Sequence, residues 1–171
     1  GMRASKVIPT YKHFPGLGRV KDNTDTSAGV VDSATNRLPD AAVGVFANAI
    51  AAGAQAIMVS SATYSLIDSS APAVFSSKIV TDMLRTQMGF SGVVITDDVS
   101  AAVQVQDVSA GDRAVRAIRA GCDIVLASAD PTVAADMVKA LIATARSDPA
   151  FAARVDESAT RVLNLKKSLQ S

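Results

Sequence analysis

The chain has no tryptophan, one cysteine, one histidine and an aromatic fraction of only 4%. A lone Cys122 excludes an intramolecular disulfide, and its setting in Ala-Gly-Cys-Asp-Ile-Val-Leu is that of a small buried thiol rather than a reactive one. No metal-ligand cluster, no Gly-x-Gly-x-x-Gly dinucleotide motif and no P-loop occurs. Charge of one sign is also missing: 17 basic against 16 acidic residues leave a formal +1, with no basic run for nucleic acid or a membrane surface. No stretch approaches the roughly 20 apolar residues that span a bilayer. The first six residues lack the apolar core of a signal peptide. An export address would lie in residues outside this sequence, so cytoplasmic and exported-lipoprotein locations both stay open.

What is present is core. At 171 residues and 49% hydrophobic content, the chain is long enough for one domain with a sizeable interior. Four short apolar runs rich in β-branched residues predict strands buried in a parallel sheet: 7–11, 56–60, 93–96 and 123–127. Helical spacing follows each of them, over 40–52, 76–88, 111–120 and 131–146, and the first three of these stop at Gly53, Gly89 and Gly121. Ser76 and Asp130 stand as N-caps, with Pro131 in the first turn. A final helix is expected over 149–169, with Val155, Ala159, Val162, Leu163 and Leu165 as its buried stripe.

Strand then helix, four times over, is an α/β pattern with right-handed crossovers, which leaves a doubly wound sheet and a (β/α)8 barrel both open. Four units are half of a barrel, which takes eight units and about 250 residues. Residues 16–38 form a long polar segment without apolar periodicity, and a loop of that length in a compact domain is functional or disordered.

Asp97 ends the run Val93-Val94-Ile95-Thr96, where barrel enzymes place catalytic groups. A carboxylate there can attack an anomeric carbon, given a second acid about 5 to 5.5 Å away; it can equally cap the next helix. Its neighbour Asp98 is expected to hold backbone amides. Lys12 and His13 close the first strand and reach the same mouth, a compact cation and a donor–acceptor imidazole suited to sugar hydroxyls. Phe14-Pro15-Gly16 then turns the chain.

Two segments together resemble the barrel domain of glycoside hydrolase family 3. Its bacterial members include β-N-acetylhexosaminidases that trim cell-wall muropeptides. That branch carries Lys-His-Phe-Pro-Gly-His-Gly, and this chain is similar at Lys12-His13-Phe14-Pro15-Gly16-Leu17-Gly18, with Leu17 in place of the second histidine. Ile95-Thr96-Asp97-Asp98 resembles the family's nucleophile segment, and the likeness runs in order from Gly1 to Leu169. The resemblance implies Asp97 as nucleophile and Lys12 and His13 as ligands of the sugar in subsite −1. It implies no cofactor and no metal, and a carbohydrate substrate, of β-N-acetylglucosaminide or β-glucoside type.

The departures bear on mechanism. The branch's acid/base is a histidine in Asp-Ser-His on the following loop, whereas here the positions read Asn23-Thr24-Asp25. Asp25 is therefore the expected general acid/base, provided the closed loop desolvates it. Asp22 or Asp32 would substitute in another loop register; Arg19 and Lys21 read as solvated charges. The likeness places residues 1–171 in the second half of a TIM (β/α)8 barrel, with Gly1-Met2-Arg3-Ala4 similar to a segment of the preceding helix. Self-association, or pairing with an N-terminal half-barrel, is expected to cover the strand edges. The rival reading is a catalytically inactive half-barrel acting as a sugar-binding remnant or interaction module.

Overall fold

The computed structural model describes residues 2–169, the side chains of Arg3 and Ala4 excepted; Gly1, part of the Gly1–Ala4 likeness, lies outside the described residues. Among the described residues, seven strands form two sheets: β1 Thr10–Phe14, β2 Val31–Asp32, β3 Ala56–Val59, β4 Thr63–Tyr64, β5 Asp68–Pro72, β6 Val93–Asp98 and β7 Ile124–Leu126. The helices are α1 Ala41–Ala51, a π-helical segment π1 Lys78–Gln87, α2 Ala110–Ala120, α3 Ala134–Ser147 and α4 Pro149–Lys167.

The main sheet has the order β1-β3-β6-β7, and every neighbouring pair is parallel. Each of its strands leads into a helix, so this is an α/β fold consistent with part of a (β/α)8 barrel. Strands β1 and β7 are its outer members. The first strand lies three residues beyond the expected 7–11, because Pro9 has no N–H for the ladder and pairing starts at Thr10 against Ala56.

The polar segment 16–38 is not wholly irregular. It contributes β2 to a small three-stranded sheet, parallel to β4, which in turn pairs antiparallel with β5. Two of its strands have two residues and the third, β5, reads Asp-Ser-Ser-Ala-Pro, so none carries a readable apolar alternation.

Helix ends follow the expected chemistry. Asp40 caps α1 through Ala42 N–H, and Ser76 accepts from Ile79 N–H ahead of π1. At the end of α2, Gly121 has φ +119° and Cys122 N–H returns to Ala117 O, the bond that closes a Schellman turn. The core gathers Phe14 and Phe46, edge to face at 5.2 Å, with Val43, Ile57, Val59, Ile79, Val80, Leu84 and Val94.

One stripe is corrected. Helix α4 buries Phe151 and Ser158, while Ala159 is exposed and Leu163 is 56% exposed. The cause is polar: Arg154, Ser158 and Arg161 on its inner face all bind the Asp123 carboxylate. Packing there is set by that acid rather than by the apolar residues. No helix among the described residues is long and apolar enough to cross a membrane.

Candidate active site

Strand β6 carries Asp97 to the carboxyl end of the sheet, where the end of β1 lies one strand away across β3. The β1–β3 ladder shifts register between Tyr11 and Phe14, and Lys12 and His13 fall within that shift. His13 Nε2 stands 3.6 Å from Asp97 Oδ2, with 22% and 17% of the two side chains exposed. That separation is beyond a hydrogen bond, so both polar atoms keep their capacity for a third group between or beside them. Burial pushes Asp97 up from the ordinary carboxylate range, partly offset by His13; burial pushes His13 down, partly offset by Asp97. Desolvation outweighs pairing on both partners, so at neutral pH His13 is an uncharged imidazole that can both donate and accept.

A cavity of about 410 Å³ opens here, lined by Lys12, Asp25, Asp97, Asp98, Met58 and Leu126 among others. Residues from the ends of β1 and β6 and from the 16–38 segment therefore share one space. Among the described residues, a cleft along α4 and another between α2, α3 and α4 are lined by none of the sequence-derived site candidates.

Asp25 sits in a turn closed by Asn23: Asn23 Oδ1 accepts from Asp25 N–H at 2.8 Å, and Asn23 O accepts from Ser27 N–H at 2.9 Å. Its side chain is exposed at the cavity rim. Asp22 is exposed and does not line the cavity, and Asp32 is consumed locally by Ala34 N–H, Thr35 N–H and the Thr35 hydroxyl. Arg19 is not simply solvated: it donates to Asp40 at 2.7 Å and to Thr35, bracing the loop against the α1 cap.

The turn after β1 is packed rather than open. Gly16 has φ +134°, and a Cβ there would lie 2.8 Å from Ala42 Cβ, so only glycine fits. Tyr64, fully buried, donates its hydroxyl to Gly16 O, and Leu17 packs against the core.

Asp98 does hold backbone amides. Oδ1 accepts from Ser100 N–H, Ser100 Oγ and Ala101 N–H; Oδ2 accepts from Ser128 N–H, Ser128 Oγ and Ala129 N–H. Those bonds hold its carboxyl well below the ordinary range despite burial. The side chain thus ties the loop after β6 to the loop after β7. Arg113 and Gln104 complete the support and were not evident from the sequence. Buried Arg113 donates to Val99 O and Ser100 O, and buried Gln104 binds the backbone of Val30. Their partners are main-chain groups 13, 14 or 74 residues away, which leave no trace in a motif; for Gln104, a polar residue flanked by valines was the one available hint. Among the described residues, no group of three or more His, Cys, Asp or Glu is placed to hold a metal.

Known proteins share this arrangement of segments. The chain matches the glycosyl hydrolase family 3 N terminal domain over residues 1–165. A beta-hexosaminidase of Psychromonas ingrahamii is 40% identical over 131 residues, 76% of this chain and 39% of that protein. An uncharacterized secreted glycosyl hydrolase of Arthroderma benhamiae is 35% identical over 170 residues, covering 98% of this chain and 48% of its own length. Among solved structures, the beta-N-acetylhexosaminidase of Beutenbergia cavernae superposes with a TM-score of 0.95 at 61% identity, covering 97% of this chain and 49% of that one. The chain spans about half, or less, of the length of these relatives. With the match extending over nearly all of its residues, the chain belongs to glycosyl hydrolase family 3.

Proposed function

We propose that residues 1–171 are part of a (β/α)8 barrel domain that carries the nucleophile and half of the −1 subsite of a retaining glycosidase. Its substrate is a terminal β-linked N-acetylglucosamine or a related hexose. The observation that supports this most is the shared cavity at the carboxyl end of the sheet, where Lys12, Asp25 and Asp97 meet with His13 beside Asp97.

The chemistry is a double displacement. Asp97 attacks the anomeric carbon while Asp25 gives its proton to the glycosidic oxygen, and the carbon–oxygen bond breaks to leave a glycosyl-aspartate. Water then attacks the same carbon, returns a proton to Asp25 and releases Asp97. Lys12 donates to sugar hydroxyls, and neutral His13 donates from one nitrogen and accepts at the other. The low dielectric around Asp97 strengthens these contacts and favours transfer of its charge into a neutral ester. Asp25 is exposed at the cavity rim, so bound sugar, or whatever covers the mouth, completes its surroundings.

The outer strands β1 and β7 call for partners, which we assign to a second set of βα units, either in the same protein or in a second copy. Light scattering tests this: a monodisperse 17.5 kDa particle from the isolated chain would remove the pairing.

The function is tested in the full-length gene product. Asp97→Asn is expected to lower turnover of an aryl β-N-acetylglucosaminide by about 10⁴-fold or more; unchanged turnover removes Asp97 from the mechanism. A second reading, an inactive sugar-binding module, draws on the exposure of Asp25 and the absence of the branch's histidine. Saturable binding of N-acetylglucosamine by a full-length protein without turnover would favour it.

A further inference from the structure

The loop that carries Asp25 is not free over the cavity. Val30 N–H donates to Gln104 Oε1 at 2.8 Å and Gln104 Nε2 donates to Val30 O at 3.2 Å, so one side-chain amide satisfies both backbone groups of one residue. The same segment grips the loop's other end: Gln104 N–H donates to Thr24 O at 3.1 Å and Val103 N–H donates to Asp25 O at 3.2 Å. Thr24, Val30 and Gln104 are all buried, Gln104 being 8% exposed. Asp25 is thereby held by its own carbonyl, one residue from a buried anchor. The gripping segment follows β6, and the intervening residues are fixed by Asp98 and Arg113. A continuous run of hydrogen bonds thus joins the strand end bearing Asp97 to the turn bearing Asp25.

We infer that Gln104 is a positioning residue for the general acid, setting where the Asp25 carboxyl stands relative to Asp97. This rests on the assignment of Asp25 as acid/base. A glutamine is the side chain the role needs, since it presents one donor and one acceptor to the complementary pair on a single peptide residue. Glutamate at 104 keeps the shape and the acceptor but sets a carboxylate oxygen against the Val30 carbonyl. Alanine removes both bonds and takes the acceptor from the buried Val30 N–H, while the Val30 carbonyl keeps its bond from Thr63 N–H at 3.0 Å.

The test compares two β-N-acetylglucosaminides in the full-length protein, a dinitrophenyl glycoside whose leaving group departs without a proton and an alkyl glycoside whose leaving group requires one. General acid assistance contributes about 10²- to 10⁴-fold, and only the alkyl substrate uses it. Gln104→Ala is expected to lower kcat/KM on the alkyl glycoside by about 10²-fold while leaving formation of the glycosyl-enzyme from the dinitrophenyl glycoside within about threefold. Asp25→Asn should show the same selectivity, and the double variant should lose little more than Asp25→Asn alone. Gln104→Glu supplies the comparison if the alanine variant does not fold.

Each outcome decides. Selectivity in Asp25→Asn without selectivity in either Gln104 variant overturns the positioning role and leaves the acid assignment standing. An equal loss on both glycosides in the Gln104 variants marks a merely structural contact and also overturns it. Full activity of Asp25→Asn on the alkyl glycoside removes the acid assignment, and the inference falls with it.

Discussion

His13 Nε2 and Asp97 Oδ2 stand 3.6 Å apart, and burial acts against the charged form of each more strongly than the other's charge favours it. Asp97→Asn removes the one nearby charge that raises His13 most and leaves the burial and Lys12 that lower it. The His13 pKa is therefore expected to fall further in that variant. Proton titration of the imidazole by NMR, on this chain's sole histidine, checks the direction. A rise would mean that solvation rather than Asp97 governs the ring.

The same pair sets a sign for stability. Asp97 is raised in the fold, so its contribution is fully present below the unfolded carboxyl pKa and is lost as pH rises through the folded value. At pH 7 the native protein therefore carries the cost of a half-buried carboxylate. Asp97→Asn should raise Tm at pH 7 and change it little at pH 3, while abolishing turnover. On the proposed role of Asp97 as nucleophile, kcat/KM of the full-length protein should fall off on the acid side above the ordinary aspartate range, because that carboxyl must act ionised.

Asp98 behaves oppositely. Its carboxylate accepts six hydrogen bonds from the loops after β6 and β7, and its pKa is held down. That stabilisation is present above the unfolded carboxyl pKa and is lost as pH falls through the folded one. Asp98→Ala should destabilise by about 3 kcal/mol, since several donors lose a charged acceptor together. Asn at 98 should recover little, because its NH₂ faces a cluster that already donates. Urea unfolding at pH 7 distinguishes the three forms.

How far the sequence led is plain from particular residues. The inner strands β3 and β6 were legible because strands buried on both faces are β-branched runs, and the helix ends because glycine punctuates them, as at Gly121 with its φ of +119°; the outer strands β1 and β7 are only partly buried, and β1 was placed three residues early. Lys12 and Asp97 were nameable because charged residues at strand ends stand out from apolar surroundings, whereas Asp25, in a polar loop, was nameable only through the family resemblance. Two-residue strands, a glutamine bound to the main chain 74 residues away and a helix face organised by one buried acid were not legible. Each depends on contacts between distant segments, which periodicity does not encode. The turn Ala120-Gly121-Cys122-Asp123 was recognisable as a turn, but the weight carried by its last residue was not.

That residue, Asp123, is 8% exposed and binds three arginines: Arg85 at 2.6 Å, Arg154 at 2.9 Å and Arg161 at 3.2 Å. It also accepts from Val94 N–H and Ser158 Oγ, so one carboxylate joins β6, π1 and α4 just ahead of β7. The cluster lies at the opposite end of the strands from Asp97, the end where barrel residues serve stability rather than chemistry. Asp123→Asn leaves three guanidinium groups around a neutral amide and should cost about 3–5 kcal/mol, as breaking a buried ion pair does. Activity per folded molecule should stay within about twofold of wild type, since additivity holds for distant sites. Active-site titration alongside thermal melts separates the two effects, and loss of turnover in the fully folded fraction would instead couple this end of the sheet to the site.

The adjacent Cys122 offers a probe of the same region. Its thiol is fully buried, packs in the core, and burial pushes it up to about 12, so thiolate is scarce at pH 8. Iodoacetamide should leave it unmodified in the native protein and alkylate it rapidly in urea. Because Cys122 follows the α2 cap and precedes Asp123, labelling should track release of this junction. In Asp123→Asn the rate at low denaturant should rise by about 10²-fold or more, the factor that a stability loss of about 3 kcal/mol brings when alkylation proceeds through the opened state. An unchanged rate would mean that the thiol is exposed by an opening that leaves the arginine cluster intact.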